Sequence, residues 1–338
     1  MIPKKNKKID RDKQMSEEKK SLNKMNEGDS ISGSLVVERM ELKISSTNKY
    51  FIDIDLRGAT AKLNGKVWDN AQAIYNKIKD SKVVTIKGVL TKYKDQFQIK
   101  VEKIEVYVGD EETFIEQTMP RSMHDLDEMK NEFYGFINSI KDPYLNKLLN
   151  EIFSSEDGSK FFKSPAGKSW HHAYLSGLLE HTLEIIKICD LMSSFHKEAK
   201  RDILLSGAML HDFGKIIELS SEPGFDYTDT GKFVGHIVLA VLFVDRIIKE
   251  KLPDFPLPLK DQLFHIILSH QGKLEYASPI EPKTIEAIIL YQADELSAKT
   301  NAYKQAIIKG KNDGNKWTRP LPLANNNSLY IPEDFEIQ

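Results

Sequence analysis

Around residue 109 the chain changes its hydrophobic period, and that switch constrains the architecture more tightly than any other feature. Before it, Ile52, Ile54 and Leu56 alternate with Phe51, Asp53, Asp55 and Arg57, and Phe97, Ile99 and Val101 alternate with Gln96, Gln98 and Lys100. A period of two is that of a half-buried strand; the spacing of three and four that takes over from Met123 is that of an amphipathic helix. The two periods are segregated, and 338 residues suffice for two domains that each bury their own core.

Five stretches carry the strand pattern: Ser34 to Ile44, Tyr50 to Leu56, Ala61 to Trp68, Val83 to Lys92 and Gln96 to Val108. Asn70 to Lys79, with Ala71, Ile74 and Ile78 at helical spacing, falls between the third and fourth. Three strands, a helix and two strands is the order of an OB-fold barrel. The expected fold class is multidomain α and β: a five-stranded OB-fold barrel over residues 26–108, then an all-α helical domain over 123–312. The segment 109–122, acidic and then interrupted by proline, reads as a linker, and 313–338 as a C-terminal tail. Residues 1–25 hold nine Lys or Arg against four Asp or Glu with almost no periodic apolar residues, which predicts a solvated, disordered basic arm.

OB barrels take single strands by stacking bases on exposed aromatics inside a positive groove. Lys43, Lys49, Phe51, Arg57, Lys62, Lys66, Trp68 and the loop Lys92, Tyr93, Lys94 supply those ingredients. Each also has a plainer reading, Phe51 and Trp68 as barrel plugs and the lysines as edge protection. A net charge of −2 argues neither for nor against nucleic acid. Cys189 is the only cysteine, which excludes internal disulfides and a thiolate zinc cluster. The longest clean apolar run, Ile237 to Val244, is too short to cross a bilayer, and the N-terminus has no apolar signal region, so a cytoplasmic protein with no membrane partner is expected.

In the helical part, AMLHDFGKIIEL (208–219) is built for a core yet sets His211 beside Asp212. His181 shares a stripe with Leu178 and Ile185, His236 with Leu239, Ala240 and Phe243, His270 with Ile266 and Ile267, and Asp294 with Leu290 and Tyr291. A lone core histidine is more often a ring satisfied by a carbonyl than a ligand. Six imidazoles and carboxylates on coincident apolar stripes are satisfied by a divalent metal, and nitrogen and oxygen donors without sulfur suit manganese, iron, zinc or magnesium. Asp212 is placed to bridge two ions, and Lys215, one turn after His211, to bind a phosphate oxygen or, in the plainer reading, to act as a helix-end cation. His171 and His172 read as phosphate donors at the pocket mouth or as surface residues.

The order His181, His211-Asp212, Asp294 resembles the HD phosphohydrolase superfamily, in which those four residues hold one metal inside a helical domain. Versions with two further histidines before the last aspartate hold a second metal, and His236 and His270 stand in those places. HHAYLSGLLEHT (171–182), HDFGK (211–215) and an OB domain in front together resemble the YhaM family of 3′-5′ exoribonucleases over about Gly28 to Lys311. The departures are Gln271 after His270 where the family often has a second histidine, Ser297 where it often has a second aspartate, and LRGAT (56–60) in place of an aspartate-bearing turn. The resemblance implies an enzyme that hydrolyses single-stranded RNA, and also single-stranded DNA, to nucleoside monophosphates. It would use one or two ions per chain, manganese first among manganese, iron, zinc, magnesium and cobalt, and a homo-oligomer is compatible with it. Its catalytic residues would be Asp212, Lys215 and His171. Two other classes stay open: an HD nucleotide phosphohydrolase or cyclic-nucleotide phosphodiesterase, and a single-stranded DNA-binding replication factor with a vestigial site.

Overall fold

The computed structural model describes residues 26–59, 61–94, 96–168, 172–220 and 222–335, so the basic arm 1–25 lies outside the described residues. The chain divides into two compact units, Met1–Pro120 with Glu222–Asp226, and Arg121–Ser221 with Tyr227–Gln338.

The first unit is a closed barrel of β1 (Ser30–Ile44), β2 (Tyr50–Arg57), β3 (Lys62–Val67), β4 (Val83–Tyr93) and β5 (Gln96–Val106) in the order β1-β2-β3-β5-β4. Closure depends on β1, whose first half pairs with β4 (Ser30↔Val89 to Val36↔Val83) and whose second half pairs with β2 (Val36↔Arg57 to Ile44↔Tyr50). The pairing with β2 shifts register between Val37 and Arg39, the local kink by which one strand turns a barrel corner. Parallel pairing of β3 with β5 completes the ring. The alternation read from the sequence falls as expected: Ile52, Ile54, Leu56, Ile99 and Val101 point inward, with Ala71 and Ile78 of α1 (Ala71–Ile78) in the same core.

The segment read as a linker holds a helix, α2 (Glu111–Thr118). Asp110 caps it, accepting from the Glu112 and Thr113 amides, and the helix packs on β1 and β4. Its acidic first turn, which suggested solvent, is a helix N-terminus.

The second unit is all helical: α3 (Leu126–Ser139), α4 (Pro143–Phe153), α5 (Glu156–Lys163), α6 (Gly177–Phe195), α7 (Arg201–Leu210), α8 (Lys215–Glu218), α9 (Asp229–Val234), α10 (His236–Lys251), α11 (Leu257–Ser269) and α12 (Ile285–Asn312). Asp125 and Asp142 cap α3 and α4. Phe133, Phe153, Phe161, Phe162 and Phe213 form a contiguous aromatic core, and α6 and α7 pack on each other and on α12. Gly207 lets α7 meet α11, since a Cβ there would fall 2.3 Å from Ile266 Cγ2. The stretch read as a tail packs against the domain: Trp317 bridges Tyr330, Leu321 bridges Asn327, and Ile331 is buried against Gly310. Among the described residues no helix is long and apolar enough to cross a membrane.

Candidate metal centre

Four histidines and two aspartates from five places in the helical unit converge. His181 comes from α6 and Asp294 from α12; His211 and His270 follow the last residues of α7 and α11; His236 opens α10. Asp212 sits in the turn between α7 and α8. That turn comes close to α10 because residue 214 is glycine: a Cβ there would lie 2.0 Å from the His236 carbonyl oxygen. The glycine of HDFGK is therefore a requirement of the approach.

The geometry around Asp212 is two-sided. Its Oδ2 faces His181 Nε2 at 3.6 Å and His211 Nε2 at 3.4 Å, while Oδ1 faces His236 Nε2 at 3.3 Å and His270 Nε2 at 3.7 Å. Asp294 Oδ1 lies 3.1 Å from His181 Nε2. The donors thus fall into two trios, His181-His211-Asp294 and Asp212-His236-His270. The Nε2 atoms of His211, His236 and His270 are buried without a hydrogen-bond partner, an expensive arrangement unless a cation takes them up. Two ligands bonded at about 2.1 Å and separated by 90–110° stand about 3.0–3.4 Å apart, close to the spacings here. The donor set fits a pair of divalent ions.

Every ring is fixed from behind. His211 Nδ1 donates to the Ala208 carbonyl at 2.8 Å and His270 Nδ1 to that of Ile267 at 2.7 Å. His236 Nδ1 stands 3.1 Å from Glu218 Oε1, and His181 Nδ1 3.0 Å from Ser297 Oγ, whose hydroxyl donates to Glu184 Oε2 at 2.7 Å. Each bond on Nδ1 leaves Nε2 turned inward with its lone pair available. Burial lowers the pKa of His181, and lowers that of His270 to about 4, so both are neutral near pH 7. For His211 burial also lowers it, but the adjacent Asp212 charge prevails and the net shift is upward.

Asp212 is held well below the usual carboxylate range: burial opposes ionisation, and the charges of Lys215 and His211 outweigh it. Lys215, which opens α8, puts Nζ 2.5 Å from Asp212 Oδ2, and that carboxylate raises its pKa against the effect of burial. The lysine read as a phosphate ligand or a helix-end cation is thus a buried ammonium beside the centre. His171 lies outside the described residues. His172 is fully buried, with its ring 5.3 Å from that of His181 and Nε2 within 3.9 Å of Glu180 and 3.7 Å of Glu184, so it does not line a pocket mouth.

Sequence reasoning named all six clustered residues, read Ser297 only as a departure from a ligand, and did not single out Glu218 or Glu184. The signal for Glu218 was present: it is an acid in the same apolar run as Asp212. The contact of Ser297 with His181 joins positions 116 residues apart and leaves no local pattern.

On the barrel, cross-strand register decides which cations are available. Asp53 lies opposite Glu41 and Lys66, Asp55 opposite Arg39 and Asn64, and Arg57 opposite Lys62. Lys43 Nζ is 2.7 Å from both Glu41 and Asp53, Lys66 is 2.6 Å from Asp53, Lys62 is 2.7 Å from Glu38, and Arg57 also bonds Glu38. Lys43, Arg57 and Lys62 therefore belong to an ion-paired lattice and not to a bare positive groove. Phe51 and Trp68 stack on each other at 4.7 Å on the outside of the barrel, with Trp68 48% exposed, so they are not plugs. Lys92 lies over Phe97 and Lys94 over Tyr93, itself 61% exposed, while Lys49 is exposed in the β1–β2 turn. These two ends of the barrel flank the face on which OB-folds bind strands.

Comparison with known proteins agrees with both units. Residues 178–299 match the family model of the HD domain, and residues 35–107 match that of the OB-fold nucleic acid binding domain. A solved mitochondrial single-stranded DNA binding protein from S. cerevisiae is similar at 15% identity over 25% of this chain and 100% of that chain, with a TM-score of 0.20. The chain is an OB-fold barrel followed by a helical HD domain. The HD domain indicates a metal-dependent phosphohydrolase, and the clustered histidines and aspartates could hold a divalent metal.

Proposed function

We propose that the protein is a 3′-5′ exoribonuclease that hydrolyses single-stranded RNA, and single-stranded DNA as a second substrate, to nucleoside monophosphates. The observation that carries this reading is the split of Asp212, with one oxygen toward each pair of histidines. A carboxylate so placed would serve two divalent ions at once, and such a pair would supply the chemistry suited to in-line displacement at a phosphodiester. Two divalent ions there would polarise a phosphoryl oxygen and supply a nucleophile at neutral pH. The chain's own residues do the rest. Asp212 and Asp294 supply the compensating charge, the fixed imidazoles hold the donor geometry, and Lys215 meets a non-bridging phosphate oxygen as negative charge develops. The barrel captures the strand by stacking bases on Phe51, Trp68 and Tyr93 beside Lys49, Lys92 and Lys94. Polarity and RNA preference rest on the likeness of the motifs and domain order to the YhaM family, and manganese on the sulfur-free donor set together with that likeness.

The test is incubation of 5′-labelled RNA and DNA oligomers with purified protein and a panel of manganese, cobalt, iron, magnesium and zinc. The expected result is a ladder that shortens from the 3′ end, with monophosphate products and RNA preferred. Turnover of free or cyclic nucleotides with intact oligomers would replace this reading by a nucleotide phosphohydrolase. Strand binding without hydrolysis under every metal would leave a binding factor.

A further inference from the structure

An imidazole is a good metal ligand only when its rotation and tautomer are fixed, and the group on its far nitrogen does that. His211 and His270 are fixed by backbone carbonyls of their own helices, which no side-chain change can remove. The other two rings depend on acids. Glu218 Oε1 takes both His236 Nδ1 at 3.1 Å and the His236 backbone amide at 3.0 Å, so a single oxygen holds ring and main chain together. Its side chain is 12% exposed, and its own carbonyl receives the Thr228 amide at 2.9 Å, which ties it to the start of α9. For His181 the acid acts at one remove: Ser297 Oγ accepts from Nδ1 and donates its own hydroxyl hydrogen bond to Glu184, which is 44% exposed.

We propose that Glu218 and Glu184 are positioning residues, one for each ion: Glu218 acts directly on the Asp212-His236-His270 trio, and Glu184 acts through Ser297 on the His181-His211-Asp294 trio. The inference rests on the two-ion reading above and adds a division of labour to it. A carboxylate that accepts Nδ1–H locks the tautomer with Nε2 inward and makes the ring a stronger donor. Glu218 does this over one buried contact, whereas Glu184 works through a neutral hydroxyl from a half-exposed position. Loss of Glu218 therefore costs its ion more than loss of Glu184 costs the other.

The experiment is titration of the metal-stripped full chain with manganese, followed by calorimetry and by the paramagnetic signal of the bound ion. His270→Ala and Asp294→Ala serve as references that assign each binding step to a trio. Glu218→Ala is expected to weaken the step at the His236 trio by about 10–100-fold and to leave the other unchanged. Glu218→Gln keeps an oxygen acceptor at the same place, so it is expected to recover most of the loss; this separates positioning from general damage to the fold. Glu184→Ala and Ser297→Ala are expected to weaken only the His181 trio, toward the lower end of that range. Both steps unchanged in Glu218→Ala and Glu218→Gln would overturn the assignment while the two-ion reading stands. Equal weakening of both steps by both Glu218 variants would also overturn it, because the effect would then be loosening of the domain. An unaltered chain that takes up no manganese would overturn the two-ion reading itself, and this inference with it.

Discussion

The ion-paired lattice on the barrel makes a quantitative prediction about salt. Binding of a single strand weakens with salt in proportion to the number of phosphates neutralised, with a logarithmic slope of about −0.7 per contact. If the basic residues read from the sequence, Lys43, Lys49, Arg57, Lys62, Lys66, Lys92 and Lys94, all met phosphates, the slope would be about −5. In the structure Lys43, Arg57, Lys62 and Lys66 already hold carboxylates, while Lys49, Lys92 and Lys94 have no ion pair among the described residues. Three contacts give a slope of about −2, so a fourfold rise in salt costs about 20-fold in affinity instead of about 900-fold. The measurement is fluorescence anisotropy of a labelled oligouridine with the chain begun at residue 26, in chelator to prevent hydrolysis. A slope of about −5 or steeper would show that the lattice cations exchange their carboxylates for phosphates, and the argument from cross-strand register would fail.

Other outcomes follow from the same geometry. Asp212→Ala should abolish hydrolysis and lower the bound metal measured by elemental analysis, while strand affinity in chelator stays near that of the parent. Trp68→Ala removes one half of the exposed stack and should weaken strand binding by about 1–3 kcal/mol at constant salt. His270→Ala should lower the metal-to-protein ratio from about two toward one, as counted after dialysis. Asp53 gives a pH dependence: burial raises its pKa, but bonds from Asn64, Lys43 and Lys66 prevail and hold it below its ordinary value of 3.8. The stability it contributes is fully present above that ordinary value and is lost as pH falls below it. Thermal melting of the barrel should therefore drop from about pH 5 downward, and Asp53→Asn should flatten the drop.

The donors of the metal centre were legible because each is a polar residue at a position that helical spacing assigns to a core. That local contradiction needs no knowledge of tertiary structure. The barrel was legible for a similar reason, since alternation places Ile52, Ile54 and Leu56 inward whatever their neighbours are. What the sequence hid was relational. Lys43 looks like a free cation until the register sets it beside Asp53, and Ser297 looks like a lost ligand until α12 brings it to the back of His181. Glu111 and Glu112 suggested a solvated linker because a run of acids reads alike in a loop and in the first turn of a helix; the cap at Asp110 distinguishes them.

The placement of His211 and His270 just past the last residues of α7 and α11 has an electrostatic consequence. Both helices direct their C-terminal ends at the centre, and each such end carries about half a negative elementary charge from its aligned peptide dipoles. Together they add about one negative charge to those of Asp212 and Asp294, against the single positive charge of Lys215. The N-terminus of α10 at His236 returns about half a charge of the opposite sign, so a net part of that cation-attracting field belongs to backbone that no side-chain substitution removes. The centre therefore favours a divalent cation ahead of any anion.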